Sequence, residues 1–131
     1  MKILVGYNGS PAARRALDLA LAAAKSVESA LVYVVTSMEG GSGETLQDIQ
    51  EVEEKLHEAK AIISKAGVAC ETLQLARGLS PGEDIVRFAE DNSVNHIFLG
   101  IEKKSRTRKI LLGSTAQYII LRGPCPVTTT K

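Results

Sequence analysis

Short apolar runs alternate along the chain with longer segments in which apolar residues recur every three or four positions. The runs are typical of strands in a parallel sheet, and they predict five strands, at residues 2–6, 30–35, 68–76, 95–99 and 127–130. The periodic segments predict four intervening helices, at residues 12–28, 44–66, 81–92 and 115–121. This alternation predicts an α/β fold, a parallel sheet with helices on both faces and right-handed crossovers.

The ends of the predicted helices carry recognisable capping residues. Ser10–Pro11 and Ser80–Pro81 each place a serine at the N-cap and a proline at the first helical position. Glu83 completes a capping box with Ser80. Gly67 stands where a C-cap glycine ends the second helix.

Two further patterns predict how the layers meet. The apolar stripes that face the sheet run from Ala13 to Val27 in the first helix and from Leu46 to Ala66 in the second. The strand at residues 68–76 alternates apolar and polar positions more than the first two strands do. We therefore expect it at an edge of the sheet, half exposed to water.

Length and composition limit the number of domains, the kinds of partner and the cellular location that are expected for this chain. The 131 residues, 44% apolar and 24% charged, predict a single domain at residues 1–131. A net charge of +1, 4% aromatic residues and no tryptophan argue against a nucleic-acid partner. No apolar run approaches the ~20 residues of a membrane span, which argues against a membrane partner. Cys70 and Cys125 are far apart and follow no secretory pattern, so a cytoplasmic location is expected.

The segment from Gly100 to Ser114 joins the fourth strand to the last helix and has the composition of an anion-binding loop. Five of its residues are basic within seven positions, at Lys103, Lys104, Arg106, Arg108 and Lys109. Glycine lets backbone N–H groups approach a phosphate closely, and the N-terminus of a helix adds free donors and a positive dipole end. A solvated loop between buried elements explains the basic residues equally well, and Ser114 fits a plain N-cap as well as a phosphate ligand.

The turn after the first strand, Gly6 to Ser10, is the expected opposite wall of this site. In open parallel sheets, ligands bind beyond the carboxyl ends of the strands, where the strand order reverses. The two loops meet there if the first and fourth strands are neighbours. The spacing Gly6-x-x-Gly9 is by itself a weak nucleotide motif, and the chain contains no G-x-x-x-x-G-K-[ST] motif of P-loop NTPases.

Candidates for catalysis and metal binding are few. His57 and His96 have no cysteine or histidine partner at ligand spacing, so no protein metal site and no catalytic residue is predicted. Phosphoryl transfer requires a metal-binding carboxylate and a group that positions the nucleophile. Glu39 and Glu102 are the carboxylates that could reach the pocket, and both lie on loops. The sequence therefore indicates a binding protein without efficient hydrolysis, rather than an enzyme.

Five motifs in order along the chain resemble those of the universal stress proteins: Lys2 to Ser10, Gly78-Leu-Ser-Pro81, Ile97-Phe-Leu-Gly100, Leu111-Leu-Gly-Ser-Thr115 and Gly123-Pro-Cys-Pro-Val127. The resemblance covers nearly the whole length. It implies a Rossmann-like sheet of five parallel strands in the order 3-2-1-4-5, and a homodimer, which we expect to form through Val127–Thr130. One branch of the family binds ATP.

The resemblance to that branch also implies a nucleotide site. Its motif, similar to G-x2-G-x9-G-[ST], is matched by Gly100 and Gly113–Ser114, while Lys103 stands at the second glycine. Asn8 stands where the family commonly has an aspartate, and the backbone of Val35 matches the position that meets adenine. The predicted nucleotide-binding residues are Gly6, Tyr7, Asn8, Gly9, Ser10, Val35, Gly100, Lys103, Gly113, Ser114 and Thr115.

Three functions fit these observations. The first is a cytoplasmic stress-response protein that binds ATP, with Mg²⁺ on the phosphates, and acts as a nucleotide-dependent signalling module. The second is a dimeric interaction module of the same family that has lost nucleotide binding, which Asn8 and Lys103 favour. The third, a response-regulator receiver or flavodoxin-like carrier, is the weakest. Receivers need acids where this chain has Asn8 and Arg77.

Overall fold

The structure, a computed structural model, describes residues 1–37, 46–76, 78–101 and 113–131. Strands and helices alternate throughout these residues, as the apolar pattern predicts. In chain order they are β1 (Lys2–Gly6), α1 (Pro11–Lys25), β2 (Leu31–Ser37), α2 (Leu46–Lys65), β3 (Ala69–Leu75), α3 (Pro81–Asp91), β4 (His96–Gly100), α4 (Ser114–Arg122) and β5 (Val127–Thr130).

The strands form one parallel sheet in the order β3-β2-β1-β4-β5, so the predicted fold and strand order are confirmed. β1 lies at the centre, with Gly6 paired to Val35 of β2 on one side and to Leu99 of β4 on the other. The strand order reverses between β1 and β4, so their carboxyl ends open into the crevice where such folds bind ligands.

The two faces of the sheet carry separate hydrophobic cores. Alternate residues of β1 point to opposite faces, with Ile3 and Val5 on the side of α1 and α2, and Leu4 on the side of α3 and α4. All three are fully buried. The continuous apolar run of β1 follows from this double coverage, since both faces of a central parallel strand are buried. At the edge of the sheet, β3 is exposed or half-buried at every position from Ala69 to Gln74, which agrees with the half-exposed edge strand that its sequence predicts.

Two predicted core positions are wrong, because the helices extend or stop away from the sheet. Val27 lies beyond the end of α1 at Lys25 and is 39% exposed, and Leu46, the first residue of α2, is 72% exposed. The 20 residues of α2 span about 30 Å, against about 23 Å for the 7 residues of β2. Burial in α2 is accordingly confined to its carboxyl-terminal half, from Leu56 to Ile63.

Some of the predictions about helix caps are confirmed, and others are wrong. Ser10 caps α1 through its side chain, and Gly67 takes a left-handed φ of 80° just after α2, both as predicted. Ser80 occupies the N-cap position of α3, but its exposed side chain makes no capping hydrogen bond, so that part of the capping-box prediction is wrong. Gly113, and not Ser114, is the N-cap of α4, because the helix already includes Ser114.

β2 continues two residues beyond its predicted end at Val35. Thr36 and Ser37 are polar, but they pair with Gln74 and Leu75 of β3, which extends the ladder past the apolar run. This extension carries Ser37 to the rim of the crevice at the carboxyl ends of the strands.

Candidate functional site

A cavity of about 320 Å³ opens at the carboxyl ends of β1, β2 and β4. Its volume is in the range of small-molecule sites. Most of the predicted nucleotide-binding residues line it: Gly6, Tyr7, Asn8, Val35, Gly100, Gly113, Ser114 and Thr115. Gly9 and Ser10 lie in the adjoining turn outside the lining, and Lys103 lies outside the residues that the structure describes.

The β1–α1 turn is held by its own hydrogen bonds. Asn8 Oδ1 accepts a hydrogen bond from the backbone N–H of Ser10 at 3.0 Å, and Ser10 Oγ accepts one from the N–H of Ala13 at 3.1 Å. Gly9 takes a φ of 80° between them, against the side chain of Lys55. One lone pair of the Asn8 oxygen is therefore engaged in the turn, and the side chain also carries two amide N–H donors. An aspartate would offer a second acceptor oxygen instead.

Gly100 has a packing role that its sequence motif does not reveal. A Cβ atom there would lie 2.3 Å from both the Ala12 carbonyl carbon and the Ala13 nitrogen. These atoms belong to the first turn of α1, so the absence of a side chain at the end of β4 lets that helix close against the sheet. The glycine is required by the backbone of α1, whether or not a phosphate binds beside it.

The first turn of α4 supplies hydrogen-bond donors at the opposite side of the cavity. Gly113 caps the helix without a side chain, Ser114 is exposed, and Thr115 is half-buried. Backbone N–H groups in the first turn of a helix have no partner within the helix, and the positive end of the dipole lies there. The first turn of α4 contains no acidic residue to neutralise it. This arrangement suits an anionic group.

The end of β2 is joined to the residue that follows β1. The carbonyl of Val35 accepts a hydrogen bond from the backbone N–H of Tyr7 at 2.9 Å, and Thr36 Oγ1 donates to the carbonyl of Tyr7. The Val35 carbonyl oxygen therefore has one lone pair left with which to accept a hydrogen bond from a ligand. The Tyr7 side chain packs into the core on the α1 and α2 side, and burial raises the pKa of its hydroxyl above 10.0.

The sequence alone missed several residues of the lining, chiefly Thr36, Ser37, Pro81, Ile85 and Leu99. Pro81 and Ile85 form an apolar wall at the start of α3, one helical turn apart. Next to them, Asp84 is fully buried, and its Oδ2 accepts a hydrogen bond from Ser37 Oγ at 3.2 Å. The available signal was a carboxylate within the apolar stripe of α3, four residues before the buried Phe88.

The histidines and cysteines lie apart from the cavity lining. His57 is exposed on α2, while His96 Nε2 lies 2.7 Å from Thr128 Oγ1 and joins β4 to β5. Burial raises the pKa of the Cys70 thiol to about 11 and also raises that of Cys125, which disfavours the reactive thiolate. Among the residues that the structure describes, no group of three or more histidine, cysteine, aspartate or glutamate residues could hold a metal ion.

The architecture and the cavity together have a clear counterpart among known proteins. Residues 1–131 match the family model described as the universal stress protein family. The chain belongs to the universal stress protein family. The resemblance based on the five sequence motifs is thereby confirmed.

Individual members of the family show how close the likeness is. The universal stress protein Slr1230 of Synechocystis is 31% identical over 99% of the chain, which spans 42% of that protein's length. The structure of a universal stress protein from Archaeoglobus fulgidus superposes with a TM-score of 0.90 and 39% identity, covering 100% of this chain and 98% of the other. A structure of a universal stress protein from A. fulgidus in complex with dAMP superposes with a TM-score of 0.84 and 36% identity, covering 100% of this chain and 98% of the other.

The helices that the structure describes do not have the properties of membrane-spanning segments. No helix within residues 1–37, 46–76, 78–101 and 113–131 is both long enough and apolar enough to cross a bilayer. The longest, α2, carries exposed charged residues along most of its length.

Proposed function

We propose that this universal stress protein binds ATP in the cavity between the β1–α1 turn and the connection from β4 to α4. One observation carries the proposal: an apolar wall and a helix N-terminus rich in donors border the same cavity of about 320 Å³. A nucleotide needs both, the first for its base and the second for its phosphates. The A. fulgidus relative bound to dAMP, at 36% identity, supports an adenine nucleotide as the ligand.

In this proposal, the two sides of the cavity bind the two ends of the nucleotide. Val35, Pro81 and Ile85 offer apolar surface to the base at the end of β2 and the start of α3. Ser114 and Thr115 line the cavity in the first turn of α4, and the proposal places the phosphates at their backbone N–H groups. Mg²⁺ binds through the phosphate oxygens in this proposal, since magnesium commonly retains water and takes few protein ligands at nucleotide sites.

We propose further that the bound nucleotide acts as an ordering ligand and is not hydrolysed efficiently. The described residues that line the cavity include no aspartate, glutamate or histidine to hold a metal or to activate water. A ligand that binds the folded chain stabilises the conformation that binds it. The nucleotide thereby biases the surface available to partners, which makes the protein a nucleotide-dependent signalling module in the stress response.

Calorimetry of nucleotide-stripped protein tests this proposal directly. We expect saturable binding of ATP in the presence of Mg²⁺, together with a rise in melting temperature that grows with ATP concentration. AMP should bind more weakly, because it has fewer phosphate charges at the N-terminus of α4. The absence of binding at millimolar ATP with Mg²⁺ contradicts the proposal.

The second candidate is a family member that no longer binds nucleotide, and the orientation of Asn8 favours it. The Asn8 oxygen already accepts a hydrogen bond from Ser10 N–H, which leaves it one lone pair for a ribose hydroxyl group, whereas an aspartate would offer a second carboxylate oxygen as well. Replacing Lys103 by glycine distinguishes the candidates. A large gain in ATP affinity would show that lysine disables the site, whereas unchanged or weaker binding agrees with ATP binding by the natural chain.

We also propose a cytoplasmic homodimer of single-domain chains that assembles through β5. β5 is a terminal strand of the sheet, and a symmetric pairing would cover its edge. The preceding helix exposes apolar side chains, with Leu121 at 79% and Ile120 at 42%, which a partner chain could cover. Light scattering at tens of micromolar protein should give a dimer mass, and a monomer mass contradicts this assembly.

A further inference from the structure

A fully buried carboxylate, Asp84, lies directly behind the cavity wall. It is the one buried polar or charged side chain among the residues that the structure describes. It stands in the first turn of α3, where the positive end of the helix dipole stabilises a negative charge. Its Oδ2 accepts a hydrogen bond from Ser37 Oγ at 3.2 Å. Burial of a carboxylate requires such partners, so the contact is an integral part of the wall.

This hydrogen bond determines what Ser37 can offer to a ligand. A serine hydroxyl has one hydrogen and two lone pairs, and an ionised carboxylate can only accept. The Ser37 hydrogen is therefore directed to Asp84, and its lone pairs remain available. Ser37 is half-buried and lines the cavity, so it presents an acceptor to whatever occupies the apolar side.

Ser37 lies on the side of the sheet where the proposed function places the base of the nucleotide. Ser37 ends β2 on one side of the central strand, near Pro81 and Ile85. The helix N-terminus that suits phosphate follows β4, on the other side of β1. A nucleotide with its phosphates at α4 consequently has its base near Ser37.

We propose that Ser37 is a specificity-determining residue that accepts a hydrogen bond from the 6-amino group of adenine, with Asp84 as its positioning residue. The inference rests on the proposed nucleotide-binding function. Hypoxanthine and guanine carry a carbonyl oxygen at the same carbon. That oxygen would meet the Ser37 acceptor without a proton between them, and a site built to bond one polar group discriminates against a ligand that lacks it. The site thus selects adenine over 6-oxopurine nucleotides.

The wild-type protein provides the first test, by calorimetric titration with ATP and with ITP, which differ only in the base at purine carbon 6 and its neighbouring nitrogen. We expect ATP to bind at least about tenfold more tightly, the difference that one hydrogen bond makes. Equal affinities would overturn the role of Ser37 while leaving nucleotide binding intact. Binding of neither nucleotide would instead overturn the proposed function on which the inference rests.

Variants then assign the preference to specific atoms. Ser37→Ala should lose about tenfold in ATP affinity and little in ITP affinity, so that the preference disappears. Ser64→Ala, the same change on the exposed side of α2, should retain the wild-type preference. An equal loss for both nucleotides in Ser37→Ala would show a structural role and overturn the proposal.

Asp84→Asn tests the positioning role. Its amide can donate to Ser37 Oγ and release the serine hydrogen toward the ligand, so the ATP:ITP affinity ratio should fall toward or below one. A merely structural role would weaken both nucleotides together and leave the ratio unchanged, which counts against the assignment. Circular dichroism melting establishes that each variant is folded under the titration conditions.

Discussion

Replacing Gly100 by alanine is expected to lower the free energy of unfolding by about 3 kcal/mol, the upper end of typical overpacking penalties. The new methyl carbon would lie 2.3 Å from backbone atoms of Ala12 and Ala13, well inside van der Waals contact. Backbone at the start of α1 cannot move aside as a flexible side chain can, so the helix must shift away from the sheet. For a domain of this size, roughly 4 °C per kcal/mol gives a fall in melting temperature of roughly 12 °C.

Gly113→Ala is the matched control, since it makes the same change at the other end of the same connection. Apart from its chain neighbours, no atom of the residues that the structure describes lies within 4 Å of a Cβ atom there, and its φ of −61° is accessible to any residue. We expect a change below about 1 kcal/mol, the size of a modest N-cap effect. Urea denaturation followed by circular dichroism measures both variants. Equal stabilities for the two variants would contradict the packing role of Gly100.

Gly100 shows that the location of the site could be predicted from the sequence, whereas the structural role of some of its residues could not. Its place after an apolar strand and before a basic loop indicated an anion site, and it does line the cavity. Its close approach to α1 depends on how a helix about ninety residues earlier in the chain packs on the sheet. The sequence around Gly100 therefore contains no pattern from which its close contact with α1 could be predicted.

The fold was more predictable than the ends of its elements. The apolar run at Ile3–Val5 is uninterrupted because both faces of a central strand are buried, and β3 alternates because an edge strand is partly exposed to water. The position of a strand in the sheet is thus visible in its own short sequence. The exposed Val27 and Leu46 show the limit. The helical period continues past the point where the helix stops or leaves the sheet, so periodicity overestimates the core.

The residues of the site that the sequence missed come from long-range pairings. Ser37 belongs to β2 only because β3 supplies partners as far as Leu75, and it meets Asp84 across 47 positions of sequence. Asp84 was detectable in principle as a charge in an apolar stripe. Its partner was not, because a serine after a strand ordinarily indicates a loop.

Replacing Ser114 by glutamate is expected to weaken ATP binding by roughly a hundredfold. Ser114 is the first residue of α4, is exposed, and lines the cavity where the proposal places the phosphates. A carboxylate about 6 Å from one phosphate charge is unfavourable by about 1.4 kcal/mol at an effective dielectric constant of about 40. Two or more such charges give about 3 kcal/mol, which is roughly two orders of magnitude in affinity.

The same substitution should stabilise the protein without ligand. The first turn of α4 lacks an acidic residue, and a negative charge there interacts favourably with the helix dipole by about 0.3–1 kcal/mol. The variant should therefore melt slightly higher while it binds ATP more weakly. Opposite signs for stability and affinity exclude unfolding as the cause of the lost binding.

Ser114→Gln isolates the charge, because glutamine has nearly the shape of glutamate and also lacks the serine hydroxyl. We expect it to bind ATP with close to wild-type affinity. The loss in Ser114→Glu should be smaller for AMP than for ATP and should shrink as salt is added, since both the number of phosphate charges and their screening set the repulsion. Calorimetry at low and high ionic strength measures these differences. If the glutamate and glutamine variants bind ATP equally well, the phosphates do not lie at the N-terminus of α4, and the proposed orientation of the nucleotide is wrong.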